Sequence, residues 1–174
     1  MPTILEEIAG ESQLQQEANI LGEFMYETTG LDKELMGYFF GQDEPLNKMS
    51  FTRFLRCFNF KRLPIDTCWR LLVNKTGLPK EGQQICRLID LFQDVYLEHN
   101  AGVEDQAHWD KDTVWTLSVK LLDLNTNLHN PNVKPMLRYS RETFVDQSIT
   151  LLKDAFSREQ LSDMYDRILN QKFE

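Results

Sequence analysis

Apolar residues recur along this chain at three-and-four spacing, and no stretch alternates as a strand would, so the pattern predicts an all-α fold. Leu14 to Thr28 reads as the first helix, stopped by Thr29-Gly30. Asp32 to Phe40 reads as a second, with Gly41 where a residue of positive φ commonly closes a helix. A third covers about Asn47 to Phe58, and a fourth begins near Pro64, because proline loses no hydrogen bond in a first turn. The clearest helix spans about Lys80 to Glu98, where Ile85, Leu88, Ile89, Phe92, Val95 and Tyr96 make one buried stripe. Asp110 or Asp112 can cap the next, which carries Val114, Trp115, Leu117, Val119, Leu121, Leu122 and Leu124. That helix is apolar around much of its circumference, so it should lie centrally or line a groove. After an irregular stretch to about Tyr139, Arg141 to Leu152 reads as helix, and Ser157 with Gln160 forms a capping box before Leu161 to Leu169.

The 174 residues show no repeat, low-complexity tract or linker, so a single domain over residues 1–174 is expected. With 41% apolar and 26% charged residues, the composition is that of a globular chain. No apolar run approaches the roughly 20 residues that cross a bilayer. The N-terminal stretch is acidic and lacks a signal peptide's basic-then-apolar order. Cys57, Cys68 and Cys86 have no metal-ligand spacing and read as small buried apolar residues of a reducing compartment. A formal charge of -8 argues against nucleic acid as a partner. The charge is uneven: Lys48, Arg53, Arg56, Lys61, Arg62, Arg70 and Lys75 stand against Asp66 alone between Leu46 and Lys75, a local +6. Such a segment can steer a partner or face an anionic membrane, or it can simply be a solvated helical face.

The glycine-rich phosphate loop, GxSxG, HExxH and zinc-spacing patterns are absent, so hydrolytic and redox chemistry is poorly supported and neither metal nor cofactor is expected. His99, His108 and His129 fall in separate segments and read as surface or hydrogen-bonded histidines. Two polar stretches stand out. Gly77-Leu78-Pro79-Lys80-Glu81-Gly82-Gln83-Gln84 enters the long helix, and Leu124 to Asn132, Leu-Asn-Thr-Asn-Leu-His-Asn-Pro-Asn, leaves the central one. Each has an ordinary structural reading. Proline followed by glutamate suits a first helical turn, and an Asn-rich exit can satisfy the last carbonyls before Asn130-Pro131 stops the helix.

Those same stretches resemble the Sec-seven domain of exchange factors for Arf-type GTPases. Leu78-Pro79-Lys80-Glu81-Gly82-Gln83 is similar to that family's Leu-Pro-x-Glu-Ala-Gln motif. Asp112-Thr113, the helix that follows, and Leu124 through Val133 resemble its second motif, Leu-Asn-Thr-Asp-Leu-His-Asn-Pro-Asn-Val. Weaker matches are Leu31-Asp32, Met36-Gly37 and Gly41 on one side, and Leu161, Met164-Tyr165 and Ile168 on the other. The family's first helix looks shortened or absent before Leu14. The resemblance implies a right-handed superhelical array of about ten short helices with a hydrophobic groove that takes up a GTPase's switch regions. It makes Glu81 the acidic finger, aimed at the partner's Mg²⁺ and β-phosphate. Asp112 and Asn130 fall at polar contacts to the switch segment, and Trp115 and Leu122 at apolar groove positions.

The sequence departs from the family at several places. Lys80 precedes the finger and could pair with Glu81, Gly82 replaces an alanine at a cost of up to about 1 kcal/mol, and Asn127 replaces an aspartate. Val119 and Asp123 stand where the groove is usually aromatic and apolar. A charge at Asp123 inside an apolar contact costs several kcal/mol unless a partner group such as a GTPase lysine pairs with it. Either the GTPase is unusual, exchange is weak, or Asp123 points to the rim. The function implied is nucleotide exchange on an Arf-family GTPase in membrane traffic, without bond chemistry. The location implied is cytoplasmic, peripheral to Golgi, endosomal or plasma membranes, with any membrane contact indirect. The rival reading is a binding module of the same fold that docks a GTPase without exchanging its nucleotide.

Overall fold

The computed structural model describes the backbone of residues 4–103 and 109–174, and side chains from Gly10 onward; His108 lies outside the described residues. Among the described residues there are eight α-helices and no strand. They are α1 (Ile4–Glu27), α2 (Lys33–Phe40), α3 (Pro45–Arg56), α4 (Ile65–Thr76), α5 (Gly82–His99), α6 (Lys111–His129), α7 (Arg141–Leu152) and α8 (Arg158–Asn170), with a 3-10 turn at Pro135–Leu137. The all-α class holds, with eight helices where about ten were expected. The helices group into two compact units, Met1–Phe60 with Lys75–His99, and Lys61–Asn74 with Asn100–Glu174.

In the first unit α3 packs against α1, α2 and α5. Its core is aromatic: Phe40, Phe51, Phe54, Phe60, Phe92 and Tyr96 expose no surface. The Phe40 ring lies 4.9 Å from those of Phe51 and Phe54, within the range where aromatic pairs attract. Leu88, Ile89, Phe92, Val95 and Tyr96 are buried along α5 as their spacing requires, with Ile85 half-buried. At the end of α5, the Phe60 backbone N–H donates to His99 Nδ1 at 3.4 Å, and burial pushes the His99 pKa down. The unfolded chain therefore binds more protons below its ordinary pKa of about 6.5, so stability should fall as pH drops from there through the lower folded value. Denaturation between pH 7 and 5 checks this, and His99→Gln should flatten the slope.

In the second unit α6 packs on both α7 and α8. Val114, Leu117, Leu121, Leu124 and Leu128 are buried along it, in keeping with its apolar circumference. Trp69 Nε1 donates to Ser118 Oγ at 2.9 Å, and that hydroxyl donates on to the Val114 carbonyl at 2.7 Å, so the buried polar atoms are satisfied. Leu161, Met164, Tyr165 and Ile168 form the buried face of α8. The fully buried Asp66 carboxylate takes a two-pronged ion pair from Arg167, at 2.7 and 2.8 Å. The predicted capping box is complete at Ser157 and Gln160, and Ser140 caps α7 through the Thr143 N–H.

Several expectations are corrected. α1 starts at Ile4 rather than Leu14, so the chain before Leu14 is already helical. The third and fifth helices begin and end within two residues of the expected bounds. Gly41 has φ -76, not a positive φ. Its lack of a side chain serves a close approach instead, since a Cβ there would stand 2.8 Å from Gln84 Cβ. The Leu124–His129 stretch is helical rather than an exit, because α6 continues to His129 before Asn130-Pro131 ends it. Cys68 is buried and Cys57 half-buried, but Cys86 is exposed. The basic segment is largely engaged within the protein. Lys48 pairs with Asp43, Arg53 with Glu23 and Arg56 with Glu98, Lys75 lies over the Tyr26 ring, and Arg70 donates to the Gln171 and Lys172 carbonyls.

Candidate functional site

Glu81 sits at the helix start of α5, one position before the first helical residue rather than within the first turn. Its carbonyl accepts from the Ile85 N–H at 3.1 Å, and its side chain is exposed. The loop leading to it is clamped onto α2. Pro79 is buried, and Gly77 has φ +71, where a Cβ would come within 2.9 Å of the Lys33 carbonyl oxygen. On the other side of Glu81, Gln84 is buried against Gly41, and Arg87 Nη1 donates to the Gly41 carbonyl at 2.8 Å. Glu81 thus projects from a short segment held at both ends. Tyr38, Leu78, Glu81 and Gln84 help to line a recess of about 240 Å³ beside it.

Lys80 turns away from its neighbour. Its ammonium pairs with Glu34 at 2.5 Å, and that contact raises the Lys80 pKa, so the pairing of Lys80 with Glu81 allowed by the sequence is not made. Gly82 has open space around it: a Cβ would meet nothing within 4 Å. The missing methyl therefore removes helix propensity and no contact. Gly77→Ala should destabilise the fold by about 2 kcal/mol, since the added Cβ is strained and crowded at once. Urea denaturation measures that loss.

The other candidate residues lie in the second unit. Successive residues of a helix turn by about 100°, which puts Asp112, Trp115, Val119, Leu122 and Asp123 on one side of α6. The Asp110 side chain caps α6 by accepting from the Thr113 N–H at 2.8 Å, leaving Asp112 exposed in the first turn. Asp112 lines a depression of about 370 Å³ together with the Leu151–Ala155 segment. Trp115 and Val119 are half-buried, and Leu122 is 8% exposed. Asp123 is exposed in the free chain, so its charge is not buried within the fold. The nearby charge of Asp123 and burial raise the Tyr139 pKa, while Lys120 Nζ stands 5.6 Å from the Tyr139 ring centre. Asn130 is half-buried, and its Oδ1 accepts from the Asn132 N–H at 2.9 Å, shaping the turn after α6.

The asparagines of the second motif do more than the sequence suggests. Asn125 and Asn127 do not cap the last carbonyls of α6 but hold distant backbone. Asn125 Oδ1 accepts from the Phe173 N–H at 2.8 Å. Asn127 Oδ1 accepts from the Tyr139 N–H at 2.7 Å, and its Nδ2 donates to the Leu137 carbonyl at 3.3 Å. His129 Nε2 meets the Ile168 carbonyl at 2.6 Å. Asn127 is the residue whose role the sequence hides, because it ties the end of α6 to the backbone at Leu137 and Tyr139. Among the described residues no group of three or more His, Cys, Asp or Glu side chains could hold a metal ion.

Comparison with known proteins gives the family. The model of the family described as Sec7 domain matches residues 3–173. Cytohesin-4 of Mus musculus is 30% identical over 160 residues, covering 92% of this chain and 39% of that protein. GTP exchange factor for ARFs 1 of Caenorhabditis elegans is 30% identical over 172 residues, covering 97% of this chain and 42% of its own length. The chain thus spans about two fifths of the length of the curated relatives it matches. Among solved structures, that of ARF1-GDP bound to a Sec7 domain complexed with Brefeldin A superposes with a TM-score of 0.78 at 26% identity, over 90% of this chain and 77% of that one. With a family match over nearly its whole length and the two motifs built as described, the chain belongs to the Sec7 domain family.

Proposed function

We propose that this chain promotes GDP release and GTP loading on an Arf-family small GTPase, with Glu81 as the acidic finger. The observation that carries the proposal is an exposed carboxylate on a segment clamped at Gly77–Pro79 and again at Gln84, with the adjacent cation drawn off to Glu34. A charge brought to a nucleotide works only if its support does not yield. Two like charges about 4 Å apart repel by on the order of 4 kcal/mol at an effective dielectric near 20. At about 1.4 kcal/mol per tenfold, that corresponds to roughly a thousandfold faster GDP loss. No bond is made or broken, and the chain needs no cofactor of its own.

Asp112, Trp115, Val119, Leu122, Asp123 and Asn130 are proposed to meet the switch segments of the GTPase. On this reading Trp115, Val119 and Leu122 supply apolar burial, and Asp123 selects a GTPase that offers it a cation or a hydrogen-bond donor. Both compact units serve as one exchange module over residues 1–174. The exchange-factor name of the Caenorhabditis elegans relative, and the presence of ARF1-GDP in the similar solved complex, support the choice of partner. Among the described residues no helix is long and apolar enough to cross a membrane. Action at the cytoplasmic face of Golgi, endosomal or plasma membranes would then be peripheral.

By linkage, a factor that expels GDP must hold the nucleotide-free GTPase more tightly than the loaded one. Mixing the chain with an Arf GTPase while its nucleotide is removed should give a one-to-one complex on gel filtration that added GTP dissolves. A complex equally stable with GDP present would support the binding-module reading instead.

A further inference from the structure

A second surface of the first unit, outside the finger loop, is built to receive a partner. α1 and α2 enclose an apolar groove of about 460 Å³, lined by Leu21, Phe24, Met25, Leu31, Leu35 and Phe39, with Asp32 at its edge. Two of these side chains are largely in solvent, Phe24 at 54% and Leu35 at 65%, and Ile20, one turn before Phe24, extends the exposed apolar surface of α1. Large apolar side chains gathered in one open patch are uncommon on a chain that works alone and usually mark a contact site.

Charge decides what covers it. Residues 1–44 carry ten acidic residues against Lys33, a balance of -9, so this segment accounts for the whole net charge of the chain. Around the groove, Glu17 lies one turn before Leu21, Glu27 one turn after Phe24, and Asp32 at the rim, all three exposed. An anionic bilayer would be repelled by this rim. A second copy of the chain would bring the same acids against themselves. A helix with apolar residues at three-and-four spacing and lysines or arginines beside them satisfies both the groove and its rim, in the helix-in-groove mode of recognition.

We infer that the α1–α2 groove binds a basic amphipathic helix of a protein partner, at a site separate from Glu81. The occupant buries its apolar stripe against Phe24 and Leu35, and its cations lie over Glu17, Glu27 and Asp32. The inference does not depend on the exchange activity.

The test uses the whole 174-residue chain and a fluorescein-labelled peptide about five helical turns long, leucine on one face and lysine on the other. Saturable binding is expected, with amide shift changes in nuclear magnetic resonance spectra confined to α1 and α2. Phe24→Ser with Leu35→Lys should weaken binding about tenfold or more. Leu35→Lys alone, at a more exposed position, serves if the double variant does not fold. The inference is overturned if the variants bind as well as the parent chain, if shift changes scatter over other helices, or if a glutamate version of the peptide binds equally. It is overturned too if sedimentation shows a dimer that Leu35→Lys disperses, which would make a second copy the occupant. Association with phosphatidylserine vesicles that Leu35→Lys abolishes would make it a lipid surface.

Discussion

Glu81→Lys should slow stimulated GDP release by about a thousandfold or more while leaving the fold and the nucleotide-free complex in place. The magnitude follows from the sign of the charge. The carboxylate repels the β-phosphate, whereas an ammonium at the same point attracts it and would hold GDP in place. The fold should be indifferent, because the Glu81 side chain is exposed and its backbone carbonyl makes the α5 contact to Ile85. A cation at a helix start costs only about 0.3–1 kcal/mol. Thermal melting and nucleotide-release fluorescence separate the two effects. A variant that still melts normally and still accelerates release would mean that exchange runs through other groups.

Asp66→Asn should lower the stability of the chain by about 2–4 kcal/mol, a substantial share of the 5–15 kcal/mol typical of a domain. Asp66 has no exposed surface and receives both Nε and Nη2 of Arg167, joining α4 to α8 inside the second unit. An amide keeps the shape but removes the charge that offsets a partly buried guanidinium. The side chain of Arg167 is 40% exposed, so water takes up some of the loss and the figure falls below that of a wholly buried pair. Arg70 adds to the stake, since it donates to the carbonyls of Arg167, Gln171 and Lys172 and lies over the Phe173 ring. In urea the midpoint should drop by about 1–2 M. Replacing Asp66 and Arg167 together with Leu and Met should cost less than Asp66→Asn alone, because no uncompensated charge remains. Equal midpoints for Asp66→Asn and the parent chain would show the pair to be inert.

What the sequence made legible was local. Asp110, Ser157 and Gln160 cap their helices because capping needs only the next few residues, and the stripe of α5 is buried because its period is that of a helix. Membership of the Sec7 domain family was also readable, since both motifs are long and of fixed order. What escaped depends on partners far along the chain. Gly41 closes α2 as expected, but not through a positive φ, and only the approach of Gln84 explains the glycine. The asparagines of α6 looked like a helix exit because their acceptors, the N–H groups of Phe173 and Tyr139, are set by tertiary packing. Asp66 read as a lone acid in a basic run, and its partner is in α8. The start of α1 was missed because Gly10 and the polar run Glu11-Ser12-Gln13 interrupt the apolar spacing of Ile4, Leu5 and Ile8. Asp123 is exposed in the free chain, so its cost in the groove depends on what a GTPase sets against it.

The measurement that tests the account most directly is the rate of GDP release from a panel of Arf-family GTPases by stopped-flow fluorescence, with the wild-type chain and Glu81→Lys side by side. The account predicts marked acceleration of at least one GTPase by the wild-type chain, and its collapse in the variant. A folded wild-type chain that accelerates none of them would contradict it and leave a module that binds without exchanging.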